Sequence, residues 1–177
     1  FRLRFIQAGI MKTPELSVLE ASKEIHAYAE FTQHMFGMVR DLMTIKEDDA
    51  FEQLFDRIDK YEDRSDDMEV EIAKYLDQVS DAHLSDDTKE KVRQMLREIS
   101  EIESIGDSCL HIARTIGRRR AAKDEFTEAQ FDNINQMFEL VDDALTQMGA
   151  VLVKHKNEVN VDRSFTMENQ INNYRSQ

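Results

Sequence analysis

Carboxylate side chains recur at helical spacing in two stretches of the chain, and this spacing is the clearest chemical pattern in the sequence. Steps of three and four residues stack side chains along one ridge of a helix. The first stretch contains Asp59, Glu62, Asp66 and Glu69, and the second contains Glu103 and Asp107. Stacked carboxylates repel one another unless a cation neutralises them. Oxygen ligands of this kind suit hard cations such as Mg²⁺, Mn²⁺, Ca²⁺ or ferric iron.

These acids are predicted to lie beside the apolar seam of their helices, not on the opposite face. Each follows a seam residue by one position, as Glu103 follows Ile102, which places it about 100° around the helix. Because the acids have the same angular position relative to the apolar seam on both helices, they could project into one shared groove. Ser65 and Gly106 are small seam residues that would let the two backbones approach. The competing interpretation is that these acids only form a solvent-exposed helix face. Spacing alone favours this interpretation, because 33% of the residues are charged and acids are common on every exposed face.

Four long helices are predicted to position these acids. Hydrophobic residues recur at alternating steps of three and four in four segments, and the chain has only five glycines and one proline. The predicted helices span 14–45, 49–80, 86–119 and 128–156. Thr13 with Pro14 caps the first helix, and Thr127 with Gln130 forms a capping box for the fourth. Four seams joined by short polar breaks predict an all-α, antiparallel helical bundle.

The hydrophobic periodicity is weaker in the last part of the chain. The fourth seam falters after Lys156, and the opening of a fifth helix is then predicted from Phe165, Glu168, Ile171 and Tyr174. An amphipathic pattern that stops before completing a seam predicts that the chain is part of a longer polypeptide. Helix four would then lack packing partners, and an exposed seam of that length predicts self-association.

The composition and the motifs that the sequence lacks exclude several classes of function. The 36 acids and 23 bases give a net charge of −13, which would repel a nucleic acid, and no apolar run approaches the roughly 18 to 20 residues of a membrane span. The single cysteine, Cys109, makes the reducing cytoplasm the expected compartment. The sequence contains no glycine-rich phosphate loop, no nucleophile elbow and no zinc-spaced cysteine pair. None of its five histidines has a glutamate three residues before it, as ferritin-like di-iron ligands do.

Two runs around the acids resemble motifs of the PhoU family. They are YEDRSDDME at 61–69 and EIESIGD at 101–107, the second of which is followed by IAR at 112–114. The resemblance covers about 14–177 and implies two three-helix halves, the second of which would open with helix four. It also implies an iron or zinc cluster held by the acid motifs. The metal ligands that it implies are Glu62, Asp66, Glu69, Glu103 and Asp107.

One position departs from the family pattern. Asn172 stands where the acid motif of the second half would have a carboxylate, four residues after Glu168. The departure leaves a second metal site without one of its ligands.

The amino-terminal residues resemble the segment that leaves the membrane part of bacterial sodium-dependent phosphate cotransporters, which end in a cytosolic PhoU-like domain. The matching runs are RLRFI at 2–6 and TPELSVLEA at 13–21. Basic residues among apolar ones in this strip could lie at an anionic leaflet. The resemblance implies that 1–13 connects a membrane domain to a PhoU-like domain at 14–177, incomplete at its carboxyl end, on the cytoplasmic face of the membrane.

Together these features favour a metal-binding regulatory domain, not an enzyme, that adjusts phosphate transport by its own transmembrane cotransporter domain. Two alternatives stay open from the sequence. One is a carboxylate-bridged metalloenzyme of the four-helix type, and the other is a metal-free helical oligomerisation module. An open coordination position on a redox-active metal would favour the enzyme, whereas a closed cluster or no metal would favour the other two.

Overall fold

A computed structural model of the chain contains four long α-helices. They are α1 (Pro14–Leu42), α2 (Asp48–Ser80), α3 (Asp86–Ala121) and α4 (Glu128–Arg175). The structure describes residues 3, 13–123 and 126–175, with side chains as far as Lys154 except at position 153. Short turns reverse the chain between successive helices. The described part is therefore an antiparallel helical bundle, as the seams predict.

The caps at two helix starts are those that the sequence predicts. The backbone N–H of Leu16 donates to Thr13 Oγ1 at 3.3 Å, and Pro14 occupies the first turn of α1, where a missing N–H costs nothing. At the start of α4, the Thr127 N–H donates to Gln130 Oε1 at 3.0 Å, and the Gln130 N–H donates to Thr127 Oγ1 at 3.2 Å. The reciprocal pair is the predicted capping box.

The carboxyl-terminal part of the chain differs from its prediction. α4 continues for 48 residues to Arg175, so the break after Lys156 and the separate fifth helix are wrong. The reason is that 150–175 contains neither glycine nor proline, and a helix propagates through weak helix formers when no residue removes a backbone hydrogen bond. None of the described helices combines the length and apolar character needed to cross a membrane.

α1 and α3 are the central helices of the bundle. Each of them contacts the other three helices, whereas α2 and α4 lie on opposite sides and do not touch within the described residues. Central helices must be apolar over a wider arc, because they have partners on more sides. The buried residues that widen the apolar arc of these two helices include Val18, Leu19, Ala21, Ile25, Phe36 and Val39 on α1 and Ile105, Leu110 and Ile112 on α3.

The seam of α4 is covered within the same chain. Ile134, Val141 and Met148 are buried against α1 and α3, so the expectation that helix four lacks packing partners is wrong over this part. Phe131, near the start of α4, is 44% exposed and packs beside Phe126 at a ring separation of 5.3 Å. Self-association of the chain stays a prediction.

The core is divided into two clusters along the bundle. One includes Met35, Phe36, Ile58, Ile112 and Phe138, and the other includes Ile25, Ile72, Leu76, Ile99 and Met148. Between them lie three buried small or polar residues, Thr32 on α1, Ser65 on α2 and Gly106 on α3. We call this level the waist of the bundle.

Candidate metal centre

The predicted ligands lie on two helices that contact each other, α2 and α3, at the level of the waist. Glu62, Asp66 and Glu69 belong to α2, Glu103 and Asp107 belong to α3, and these five residues are here named the acid cluster. The Asp carboxylates are exposed and the three Glu side chains are half-buried. Their seam neighbours Ser65 and Gly106 are buried, as the phase predicts. Asp59, on the same predicted ridge, is exposed.

Within α2, Glu62 and Asp66 share a hydrogen bond one helical turn apart. Burial raises the pKa of Glu62, and the negative charges of Asp66 and Asp63 raise it further. The pair therefore holds a proton more readily than two separate carboxylates in water would.

Within α3, Glu103 and Asp107 form the equivalent pair. The hydrogen bond with Asp107 raises the pKa of Glu103 to about 7, and burial, the charge of Asp107 and the charges of Glu69 and Asp66 act in the same direction. Because Asp107 accepts this hydrogen bond from the protonated carboxyl, ionising Glu103 would break it and add a like charge.

The two helices also act on each other across the groove. Burial raises the pKa of Asp66, and the charge of Asp107 on α3 is the next largest cause. Burial likewise raises the pKa of Glu69, followed by the charges of Asp66 and Asp107. The carboxylates on α2 and those on α3 therefore interact electrostatically across the groove. Asp63 and Asp67, which the spacing argument did not include, add to the negative potential felt by Asp66.

Tyr28 of α1 is a buried residue whose hydroxyl is affected by the charges of the acid cluster. Its side chain is 0% exposed, and the hydroxyl of Ser65 on α2 is a hydrogen-bonding neighbour of its own hydroxyl. Burial raises the pKa of this hydroxyl, the neighbouring Ser65 hydroxyl lowers it in part, and the charges of Glu69, Glu103 and Asp66 raise it further. The Tyr28 hydroxyl is therefore a neutral donor on the inner side of the cluster.

The donor set suits a hard cation, but the carboxylates are not gathered around one point. Among the described residues, no three His, Cys, Asp or Glu side chains converge closely enough to hold a metal ion as they stand. Mutual repulsion opposes gathering the ionised carboxylates around one point. A multivalent cation would offset that repulsion, and side-chain rotation about the Glu and Asp bonds would bring their oxygens together.

Two other features have structural explanations or lie outside the described residues. Cys109 is fully buried in the core, and burial raises the pKa of its thiol to about 12, which makes it a poor nucleophile. The side chains of Glu168 and Asn172 are outside the described part of the chain. The connector at 1–13 is also outside it, apart from Thr13 and Leu3, which packs against the second core cluster.

Comparisons of the chain with family models, with curated proteins and with solved structures each gave no match. The resemblance to PhoU proteins therefore stays a prediction that rests on the two acid motifs and the amino-terminal runs.

Proposed function

We propose that this chain is a cation-binding regulatory domain on the cytoplasmic side of a sodium/phosphate cotransporter. The observation that supports the proposal is the acid cluster at the waist, where the charge of Asp107 on α3 raises the pKa values of Asp66 and Glu69 on α2.

A bound cation would supply the positive charge that neutralises the acid cluster. Neighbouring carboxylates help to raise the pKa values of Glu62, Asp66, Glu69 and Glu103, and a divalent or trivalent cation would replace the bound protons with a stronger counter-charge. All the candidate ligands are oxygens, which suit ferric iron, Mn²⁺, Mg²⁺ or Ca²⁺. The family resemblance implies an iron or zinc cluster.

The position of the cluster gives a route from cation binding to a transporter. A cation bound between α2 and α3 favours the arrangement in which these helices are close, and both of them pack on α1. α1 begins at Pro14, immediately after the predicted connector. A change in cation occupancy would then shift the equilibrium between states of an attached membrane domain, provided that the two states differ in cation affinity.

Melting temperature tests the cation-binding step. A cation that binds only the folded chain stabilises it by mass action, so Mn²⁺ should raise the melting temperature of chelator-treated protein. The rise should disappear in the Glu103→Gln/Asp107→Asn variant. The Glu139→Gln/Asp143→Asn variant is the matched control, because it removes an exposed Glu and Asp at the same spacing from α4. An equal rise in both variants would contradict the assignment.

Phosphate uptake tests the regulatory step. In a transporter that contains this domain, the Glu103→Gln/Asp107→Asn substitution should change how uptake responds to phosphate supply and leave substrate selectivity unchanged. An unaltered response would refute the regulatory role. A metal-dependent turnover by the isolated chain would instead favour the carboxylate-bridged metalloenzyme.

A further inference from the structure

One ridge of α3 carries acids in its first half and bases in its second half. Its four members are Glu103, Asp107, Arg114 and Arg118, here named the charged ridge. Because they are separated by steps of four, seven and four residues, they lie within about 60° of one another around the helix. Asp107 and both arginines are exposed, and Glu103 is half-buried. The charged ridge is therefore accessible to solvent over about four turns of α3.

Each half of the charged ridge repels itself. Like charges four residues apart destabilise a helix, and this spacing separates the two acids as well as the two arginines. Within the part of the chain that the structure describes, neither arginine pairs with a carboxylate, and Arg118 donates to Thr115 of its own helix at 3.3 Å. The negative end of the helix dipole favours Arg118, but Arg114 lies before the last turn, where this effect has faded. Both halves therefore lack a counter-charge that the helix itself supplies.

The charged ridge is complementary to a reversed copy of itself. Its members are placed symmetrically about the point between Leu110 and His111. A second α3 that packs antiparallel about this point brings its Arg114 opposite Asp107 and its Arg118 opposite Glu103. The same two contacts then form in the other direction. Such reciprocity is the property of an isologous interface between identical chains.

α2 strengthens the negative half of this surface. α2 and α3 are antiparallel, and a β-carbon on Gly106 would lie 3.9 Å from Ser65 Oγ, so these two residues are at the same level of the bundle. By the helical rise, Asp66 and Glu69 of α2 are then within about 3 Å, along the bundle axis, of the two acids on the charged ridge. Each arginine of a second copy would meet carboxylates from two helices, which suits the planar donor fork of its guanidinium.

We propose that the charged ridge is a self-association surface, on which a second copy of this chain packs its α3 antiparallel and supplies two arginines as counter-charges for the acid cluster. Ser100 and Ala121 stand at equal distances from the same centre, and both are exposed and small, so they let the two helices approach. The inference goes beyond the proposed function, because guanidinium groups neutralise the acids in the dimer. Exposed ion pairs are individually weak and screened by salt, so the dimer should be weak and should dissociate as salt is added.

Reversing the charges of one half should abolish self-association. Every charge on the ridge is negative in Arg114→Glu/Arg118→Glu and positive in Glu103→Arg/Asp107→Arg. In sedimentation at low salt, the dissociation constant of either variant should be at least about 10-fold higher than that of the parent. Arg57→Glu/Lys60→Glu is the control for the first variant, because it makes the same change in net charge at two exposed bases of α2. The control should dimerise as the parent does.

Mixing the two reversed variants gives the sharper test. Neither should self-associate, but an all-negative ridge complements an all-positive one, so an equimolar mixture should form a heterodimer. Changes in folding or net charge alone would not restore association on mixing. All these measurements are made in chelator, so that they do not depend on whether the acid cluster binds a metal ion.

Three results would overturn the inference. The first is a parent that stays monomeric at low salt and about 1 mM protein. The second is a mixture of the two reversed variants that contains no heterodimer. The third is an equal loss of association in Arg57→Glu/Lys60→Glu, which would assign the effect to net charge. None of these results bears on cation binding, which the melting temperatures in Mn²⁺ test separately.

Discussion

Glu103 and Asp107, one turn apart on α3, share a hydrogen bond that raises the pKa of Glu103 to about 7. An unfolded glutamate titrates near 4.3, so the folded chain retains a proton at this pair over a range where the unfolded chain has lost it. The relationship links the sequence spacing of two acids to a measurable property of the whole domain.

The stability of the cation-free chain should fall as the pH rises. A carboxyl with a raised pKa stabilises the fold fully below its unfolded pKa, and this stabilisation is lost as the pH rises through the folded pKa. The melting temperature in chelator should therefore decrease between about pH 4.5 and pH 7. Glu103→Gln keeps a donor for Asp107 and cannot ionise, so its melting curve should depend less on pH. A steeper decrease in this variant than in the parent would contradict the shared proton.

Arg120 should be important for stability, because it joins three elements at one end of the bundle. Its guanidinium donates to the carbonyls of Ile45 at 2.8 Å and Lys46 at 2.6 Å and to Asp48 Oδ1 at 2.9 Å, and it lies 4.4 Å from the Phe51 ring centre. These contacts hold the turn after α1 in a non-helical form, which explains why α1 ends at Leu42 and not at the predicted 45.

Replacing Arg120 by alanine should lower the free energy of unfolding by about 2 kcal/mol, measured by urea denaturation. Arg120→Lys should restore little of this loss, because an ammonium cannot reproduce the planar fork. Arg118→Ala is the control, since Arg118 is exposed and donates to Thr115 of its own helix. Its effect should stay within about 0.5 kcal/mol, and equal losses for Arg118→Ala and Arg120→Ala would argue against the contacts of Arg120.

Lys123 follows the end of α3 in a left-handed backbone conformation, with φ of 55°. A residue with a β-carbon is strained there, so Lys123→Gly should raise the free energy of unfolding by about 1 kcal/mol. The adjacent Ala122 has φ of −75°, where glycine only adds chain entropy, so Ala122→Gly should lower it by about 0.5 to 1 kcal/mol. Shifts of the same sign in the two variants would be inconsistent with this turn geometry.

Gly106 at the waist has more room than its small size suggests. A methyl group there would lie 3.5 Å from Met35 Cε and 3.9 Å from Ser65 Oγ, which are ordinary contacts. Gly106→Ala should therefore stabilise the chain by up to about 1 kcal/mol through helix propensity. At Gly117 the added carbon would lie 3.1 Å from the Phe55 ring, so Gly117→Ala should stabilise it less or destabilise it. Chemical denaturation of both variants measures the difference, and a larger gain for Gly117→Ala would contradict the packing.

The helical bundle, and the position of the acids beside the buried Ser65 and Gly106, could be predicted from sequence because both follow from local periodicity. Acids one position after Ser65 and Gly106 share a phase, and antiparallel helices with matched phases face each other. The electrostatic effect of the acids on Tyr28 could not be predicted, since Tyr28 looks like any apolar residue of its helix and only tertiary packing sets its level. The length of α4 could not be predicted either, because a faltering stripe weakens packing without breaking the backbone.

Metal content of the purified chain tests the central claim most directly. Protein purified without chelator should contain iron, zinc or another multivalent metal, and the Glu139→Gln/Asp143→Asn control should contain the same amount. Metal should be lost from the Glu103→Gln/Asp107→Asn variant, because the acid pair on α3 is then neutral and only the carboxylates of α2 are left to bind a cation. Equal metal content in the parent and in Glu103→Gln/Asp107→Asn, measured by elemental analysis, would contradict the account.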